Sequence, residues 1–94
     1  MIRVAVLTVT YNTGETIRPF LASVAGASKD PVAVVIADNG SADIDALRAI
    51  GESYGAVVVS SGGNRGYGGG IDAALSALDD VLPDVRPEFL LVTN

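Results

Sequence analysis

Arg3-Val-Ala-Val-Leu-Thr-Val-Thr10, followed by Tyr11-Asn-Thr-Gly14, is the segment on which the architecture turns. Its β-branched, nearly unbroken apolar run fits a strand covered on both faces, the habit of a parallel sheet inside an α/β protein. The polar, glycine-containing turn after it begins a pattern that recurs down the chain. Residues 15–27 carry Ile17, Phe20, Leu21 and Val24 at i, i+3, i+4 and i+7, one face of a helix. Pro19 then has to lie in the first turn, where a missing N–H breaks no intrahelical bond.

The same alternation continues. Residues 32–37 read as a second buried strand, ending in Asp38-Asn-Gly-Ser41. Ser41 or Asp43 caps a second helix showing Ile44, Leu47, Ile50 and Tyr54, and Gly55 suits its C-terminal end. Residues 56–60 form a third strand. Six of the ten residues from Ser61 to Gly70 are glycine, and a third helix follows with Ile71, Ala74, Leu75, Leu78 and Leu82 on one face. Phe89-Leu-Leu-Val-Thr93 supplies a fourth buried strand. The order βαβαβαβ with right-handed crossovers predicts a Rossmann-like three-layer sandwich, mostly parallel, with strands in the order 3-2-1-4. In such a sheet, ligands bind at the C-terminal ends of the strands, where the polar turns collect.

Composition narrows the function. Ninety-four residues bound one domain or part of one. The net charge of −5, with no run of Lys or Arg, argues against nucleic acid, whose phosphates need clustered cations. An anionic small molecule remains open, because helix N-termini and backbone N–H groups hold phosphate without net positive charge. Cys and His are both absent, which excludes thiolate and imidazole metal sites, Cys nucleophiles and Ser-His-Asp triads within these residues. The apolar run at the N-terminus is too short for a signal peptide, and no segment approaches a membrane span of about 20 residues.

The glycine-rich segment fits neither common phosphate motif. A dinucleotide fingerprint belongs in the first βα turn, and a P-loop needs Gly-Lys-[Ser/Thr]; here Gly70 is followed by Ile71-Asp72. Three turns taken together are more specific: Val9-Thr-Tyr-Asn12, Ala37-Asp-Asn-Gly-Ser-Ala-Asp43 and Asn64-Arg-Gly-Tyr-Gly-Gly-Gly-Ile-Asp72. In that order they resemble the nucleotide-sugar-binding half of family 2 glycosyltransferases of GT-A fold, in their rhamnosyltransferase-like flavour.

The resemblance implies sugar transfer from a UDP- or dTDP-sugar to the hydroxyl of a glycan or lipid-linked acceptor, with inversion, in cell-wall polysaccharide synthesis. It implies a cytoplasmic enzyme, at the inner face of the membrane. Thr10, Tyr11 and Asn12 would line the base and ribose pocket. Asp38 and Asn39 would read the pyrimidine edge, and Asn64, Arg65, Gly66, Gly69 and Gly70 would lie beside the nucleotide and diphosphate. Asn94 falls on the first position of the family's metal motif for Mg or Mn; the partner carboxylate and the catalytic base are expected after it. The chain is thus expected to be truncated, inactive by itself and prone to self-association.

Plainer readings exist for the same residues. Asp38 and Ser41 suit helix caps, Tyr11 suits a strand end, and Asp72 suits the first turn of a helix against the macrodipole. Arg65 serves equally as a phosphate partner or a solvent-exposed cation. Asp79, Asp80 and Asp84 read as a solvated acidic surface. A complete flavodoxin-like binding module of this length is the alternative to a transferase.

Overall fold

A computed structural model describes residues 4–27, 29–81, 83 and 87–93. Four parallel strands, β1 (Val4–Thr10), β2 (Val32–Asp38), β3 (Val57–Ser60) and β4 (Phe89–Thr93), form one sheet in the order β3-β2-β1-β4. This is the expected order, and the architecture is the expected α/β, Rossmann-like one. Helices α1 (Ile17–Ala27) and α2 (Ile44–Ser53) cover one face, and α3 (Gly66–Val81) covers the other.

Strand alternation sorts the core into two halves. Val6, Val34 and Ile36 point toward Ile17 and Leu21 of α1 and toward Leu47 and Ile50 of α2. Ala5, Leu7, Ala33, Val35 and Ala37 point the other way, onto Ala74, Ala77 and Leu78 of α3. Small residues on both sides of that second interface let α3 lie close to the sheet. The α2–β3 contact is equally close: a Cβ on Gly51 would stand 2.7 Å from Val58 Cγ2.

Two helix starts differ from the sequence reading. The first helix begins at Ile17, preceded by a 3-10 turn over Gly14–Thr16. A continuous α-helix from Glu15 would set the Pro19 ring against the Glu15 carbonyl, so the tighter turn takes those residues. The third helix begins at Gly66, so residues 66–70 are its first turn rather than loop. Asp72 therefore lies in the second turn, exposed, and the first turn carries no acidic residue. The macrodipole role expected for Asp72 does not hold.

The fourth strand is not buried. Phe89, Leu90, Leu91 and Val92 are all exposed, because β4 is the sheet edge and α3 packs on β1 and β2 instead. The remaining details follow expectation. Asp43 caps α2 by accepting from the Ala46 N–H at 3.3 Å, and Gly55 takes φ +75° just past the helix end. Asp79 and Asp80 are exposed; Leu82 and Asp84 lie outside the described residues.

Candidate functional site

Register brings the polar turns to one edge. Thr10 pairs with Asp38, and Asp38 pairs with Ser60, so β1, β2 and β3 end level. The ladder runs one residue further: the Asn39 N–H donates to the Thr10 carbonyl at 2.9 Å, and the Ser61 N–H donates to the Asp38 carbonyl at 3.0 Å. Five polar residues are buried in the described chain, and Thr10, Asp38, Asn39 and Ser61 lie together at this edge.

Asp38 is the centre of the first cluster. Its carboxylate is fully buried and accepts four hydrogen bonds. The Thr10 hydroxyl (2.8 Å) and the Ser41 hydroxyl donate to Oδ1. The Gly40 N–H (3.2 Å) and the Ser41 N–H (2.7 Å) donate to Oδ2. Burial pushes the Asp38 carboxyl up; the donors from Ser41, Thr10 and Gly40 outweigh it and hold the group below its ordinary value. Asn12 closes the same corner. It sits at φ +50°, its N–H donates to Ser41 Oγ at 2.7 Å, and its Oδ1 accepts from the Ala42 N–H at 3.1 Å. The turns after β1 and β2 are thereby tied into one unit.

Asn39 points to the opposite side of the sheet, as the residue after Asp38 must. Its Nδ2 donates to the Gly66 carbonyl at 2.9 Å, and its Oδ1 accepts from the Ser61 hydroxyl. Asp38 and Asn39 therefore serve different loops. Both side chains are engaged within the protein in this structure.

The glycine segment is locked from several sides. Asn64 Oδ1 accepts from the Gly66 N–H at 3.3 Å. The Arg65 guanidinium folds back, donating through Nη1 to the Ser61 carbonyl at 3.2 Å. Gly40 is glycine for its backbone, at φ +105°; a Cβ there would make only ordinary contact, 3.7–3.8 Å, with the Gly63–Asn64 backbone. Gly70 is glycine for packing: a Cβ there would lie 2.7 and 2.8 Å from the two Val9 methyls. Gly69 is blocked by Arg65 of its own turn.

Tyr11 and Tyr67 stand exposed, at 56% and 46% of their surface. They are the rings available for stacking at this edge. A groove of about 280 Å³ opens on the other side of the Asn12–Ser41 bridge, lined by Glu15, Asp43, Leu47 and Ile50 among others. Its two carboxylates make it a poor seat for a diphosphate. The α3 side, with Arg65 and the positive end of a helix, is the favourable one.

Thr10, Asn12, Asp38, Asn39, Asn64, Gly66 and Gly70 thus come together, and Tyr11 and Arg65 rim them. Asn94 lies outside the described residues. Ser61 was not singled out from sequence, and Ser41 only as a cap. Their position directly after strand ends, opposite Asp38 and Asn39, was the available signal.

The family model of glycosyl transferase family 2 matches residues 5–80. Two curated proteins match over 93 residues at 34% identity: the N-acetylglucosaminyl-diphospho-decaprenol L-rhamnosyltransferases of Mycobacterium tuberculosis strains CDC 1551 / Oshkosh and ATCC 25618 / H37Rv. The alignment covers 95% of this chain and 30% of theirs, so the chain spans under a third of the length of those relatives. No solved structure matches significantly. A family match running from β1 into the last turn of α3, over the three turns that build this edge, makes the chain a member of glycosyl transferase family 2.

Proposed function

We propose that this chain is the nucleotide-binding part of a longer inverting glycosyltransferase that uses a UDP- or dTDP-sugar. The observation that carries this reading is the convergence of three βα turns at one strand edge, beside the glycine start of α3. Tyr11 offers a face for the base, a contact worth about 1–3 kcal/mol in stacked complexes. The backbone N–H groups at the start of α3, with Arg65 nearby, face the diphosphate. The acceptor hydroxyl attacks the anomeric carbon as the diphosphate leaves, and its proton passes to a base. No described residue is assigned as that base.

A lipid-diphosphate-linked glycan is the proposed acceptor, in keeping with the substrate named for the mycobacterial relatives. The proposed setting is the cytoplasm, at the inner membrane face. No described helix is long and apolar enough to cross a membrane. A divalent metal, Mg or Mn, belongs to the same proposal. Among the described residues no group of three or more Asp, Glu, His or Cys is arranged to hold one, and no step is routed through it.

Calorimetric titration of the 94-residue chain should show binding of UDP or dTDP, and incubation with the corresponding sugar donors should show no turnover. Absence of heat with both diphosphates sinks the nucleotide reading; turnover by the purified chain sinks the view that the catalytic base lies elsewhere. The exposed, uncharged β4 edge is proposed to pair with a second copy of the chain. Sedimentation should then show dimer growing with concentration; a monomer throughout would refute that pairing.

A further inference from the structure

The Asn39 side chain is 4% exposed and held at both ends. Its Nδ2 donates to the Gly66 carbonyl at 2.9 Å, and its Oδ1 accepts from the Ser61 hydroxyl. The partners fix which end is which, since a backbone carbonyl can only accept. Ser61 is itself buried, and its hydroxyl also reaches the carbonyls of Gly63 (2.7 Å) and Asp38 (3.2 Å). Gly70 lies above the amide, where a Cβ would come within 3.3 Å of Nδ2. The strand end, the β3–α3 turn and the first turn of α3 are therefore linked through one side chain.

The segment it holds is the one least able to hold itself. Glycine loses more backbone freedom on ordering than any other residue, and this segment has six in ten. A site that binds through backbone N–H groups binds more tightly when they are ordered beforehand. The link needs a donor at one corner and an acceptor at the other. A carboxylate of the same shape offers two acceptors and would repel the Gly66 carbonyl.

We propose that Asn39 is a positioning residue: an amide latch that holds the glycine-rich start of α3 in place for the diphosphate, without contacting the base. This rests on the nucleotide reading above, and the two fail separately.

The test is Asn39→Asp in the 94-residue chain, read by two measurements. Hydrogen exchange should quicken at the amides of residues 70–74, which donate to the carbonyls of residues 66–70 in α3, and stay unchanged in α2. NMR titrations with pyrophosphate and with uridine should show roughly tenfold weaker pyrophosphate binding (about 1.4 kcal/mol) and unaltered uridine binding. Ser61→Ala should give the same pattern more mildly. The double variant should add little to Asn39→Asp alone, because both changes break one chain of hydrogen bonds. Unchanged exchange at residues 70–74 overturns the latch. Loss of uridine binding with pyrophosphate binding intact makes Asn39 a base-reading residue and also overturns it. A wild-type chain that binds neither probe refutes the nucleotide reading, while the exchange comparison still decides the latch.

Discussion

Asp38→Ala is expected to cost about 3–5 kcal/mol of folding stability, the largest effect of any single polar substitution in this chain. The reason is the number of groups left behind. Two hydroxyls and two backbone N–H groups donate to a carboxylate with no exposed surface. Each buried donor stranded without a partner costs about 1–3 kcal/mol, less where water enters the gap. A domain of this size holds only about 5–14 kcal/mol in total, so the variant should unfold at much lower urea concentration, or fail to accumulate folded.

Asp38→Asn separates hydrogen bonding from charge. The two carboxylate oxygens have different company: Oδ1 faces hydroxyls, and Oδ2 faces backbone N–H groups. Hydroxyls can rotate and accept; N–H groups cannot. The amide should therefore place its oxygen at the Oδ2 position and its NH₂ toward Thr10 and Ser41, at a cost of about 1 kcal/mol. The pH dependence should change as well. The folded-state pKa of Asp38 is depressed, so its contribution is present above the ordinary carboxylate value of about 4 and is lost as pH falls through the lower folded value. Wild-type stability should decline over that acid window, and the difference between wild type and Asp38→Asn should shrink with it. A gap that stays constant from neutral pH to about pH 2 would show that the charge of Asp38 does not contribute.

The sheet order was legible because alternating strands and helices with right-handed crossovers leave few arrangements, and Val4–Thr10 is apolar enough to sit centrally. The start of α3 was not. Six glycines look like loop by any local measure, and helix costs about 1 kcal/mol per glycine there. What makes the segment helical is a long-range demand, the close approach of Gly70 to Val9, which local composition does not record. The exposure of β4 was hidden for a similar reason: Phe89–Thr93 is as apolar as β1, and only its place at the edge distinguishes it. The separate duties of Asp38 and Asn39 were available in principle. Consecutive residues at a strand end leave on opposite faces, so Asp38 reaches the turns after β1 and β2 while Asn39 reaches the start of α3.

The three consecutive glycines of α3 offer the sharpest contrast in sign. Gly68→Ala adds a methyl into open space within a helix, at a backbone angle that alanine adopts readily. It should stabilise the chain by about 0.5–1 kcal/mol, through helix propensity and a less flexible unfolded state. Gly70→Ala enjoys the same propensity gain and should nevertheless destabilise by about 2–3 kcal/mol. Its Cβ would sit 2.7 and 2.8 Å from the two methyls of Val9, whose branched side chain is stiff at χ1, and 3.3 Å from the Asn39 amide. Relief can come only by lifting α3 from β1, and Ala74, Ala77 and Leu78 would then lose their close fit to the sheet. Val9→Ala removes the obstruction, so the Val9→Ala/Gly70→Ala pair should be more stable than the sum of its parts by about 1 kcal/mol or more. Urea midpoints for the four variants check this directly. A Gly70→Ala chain as stable as wild type would mean that α3 does not approach β1 as closely as Gly70 implies, and the packing account of this glycine would fall with it.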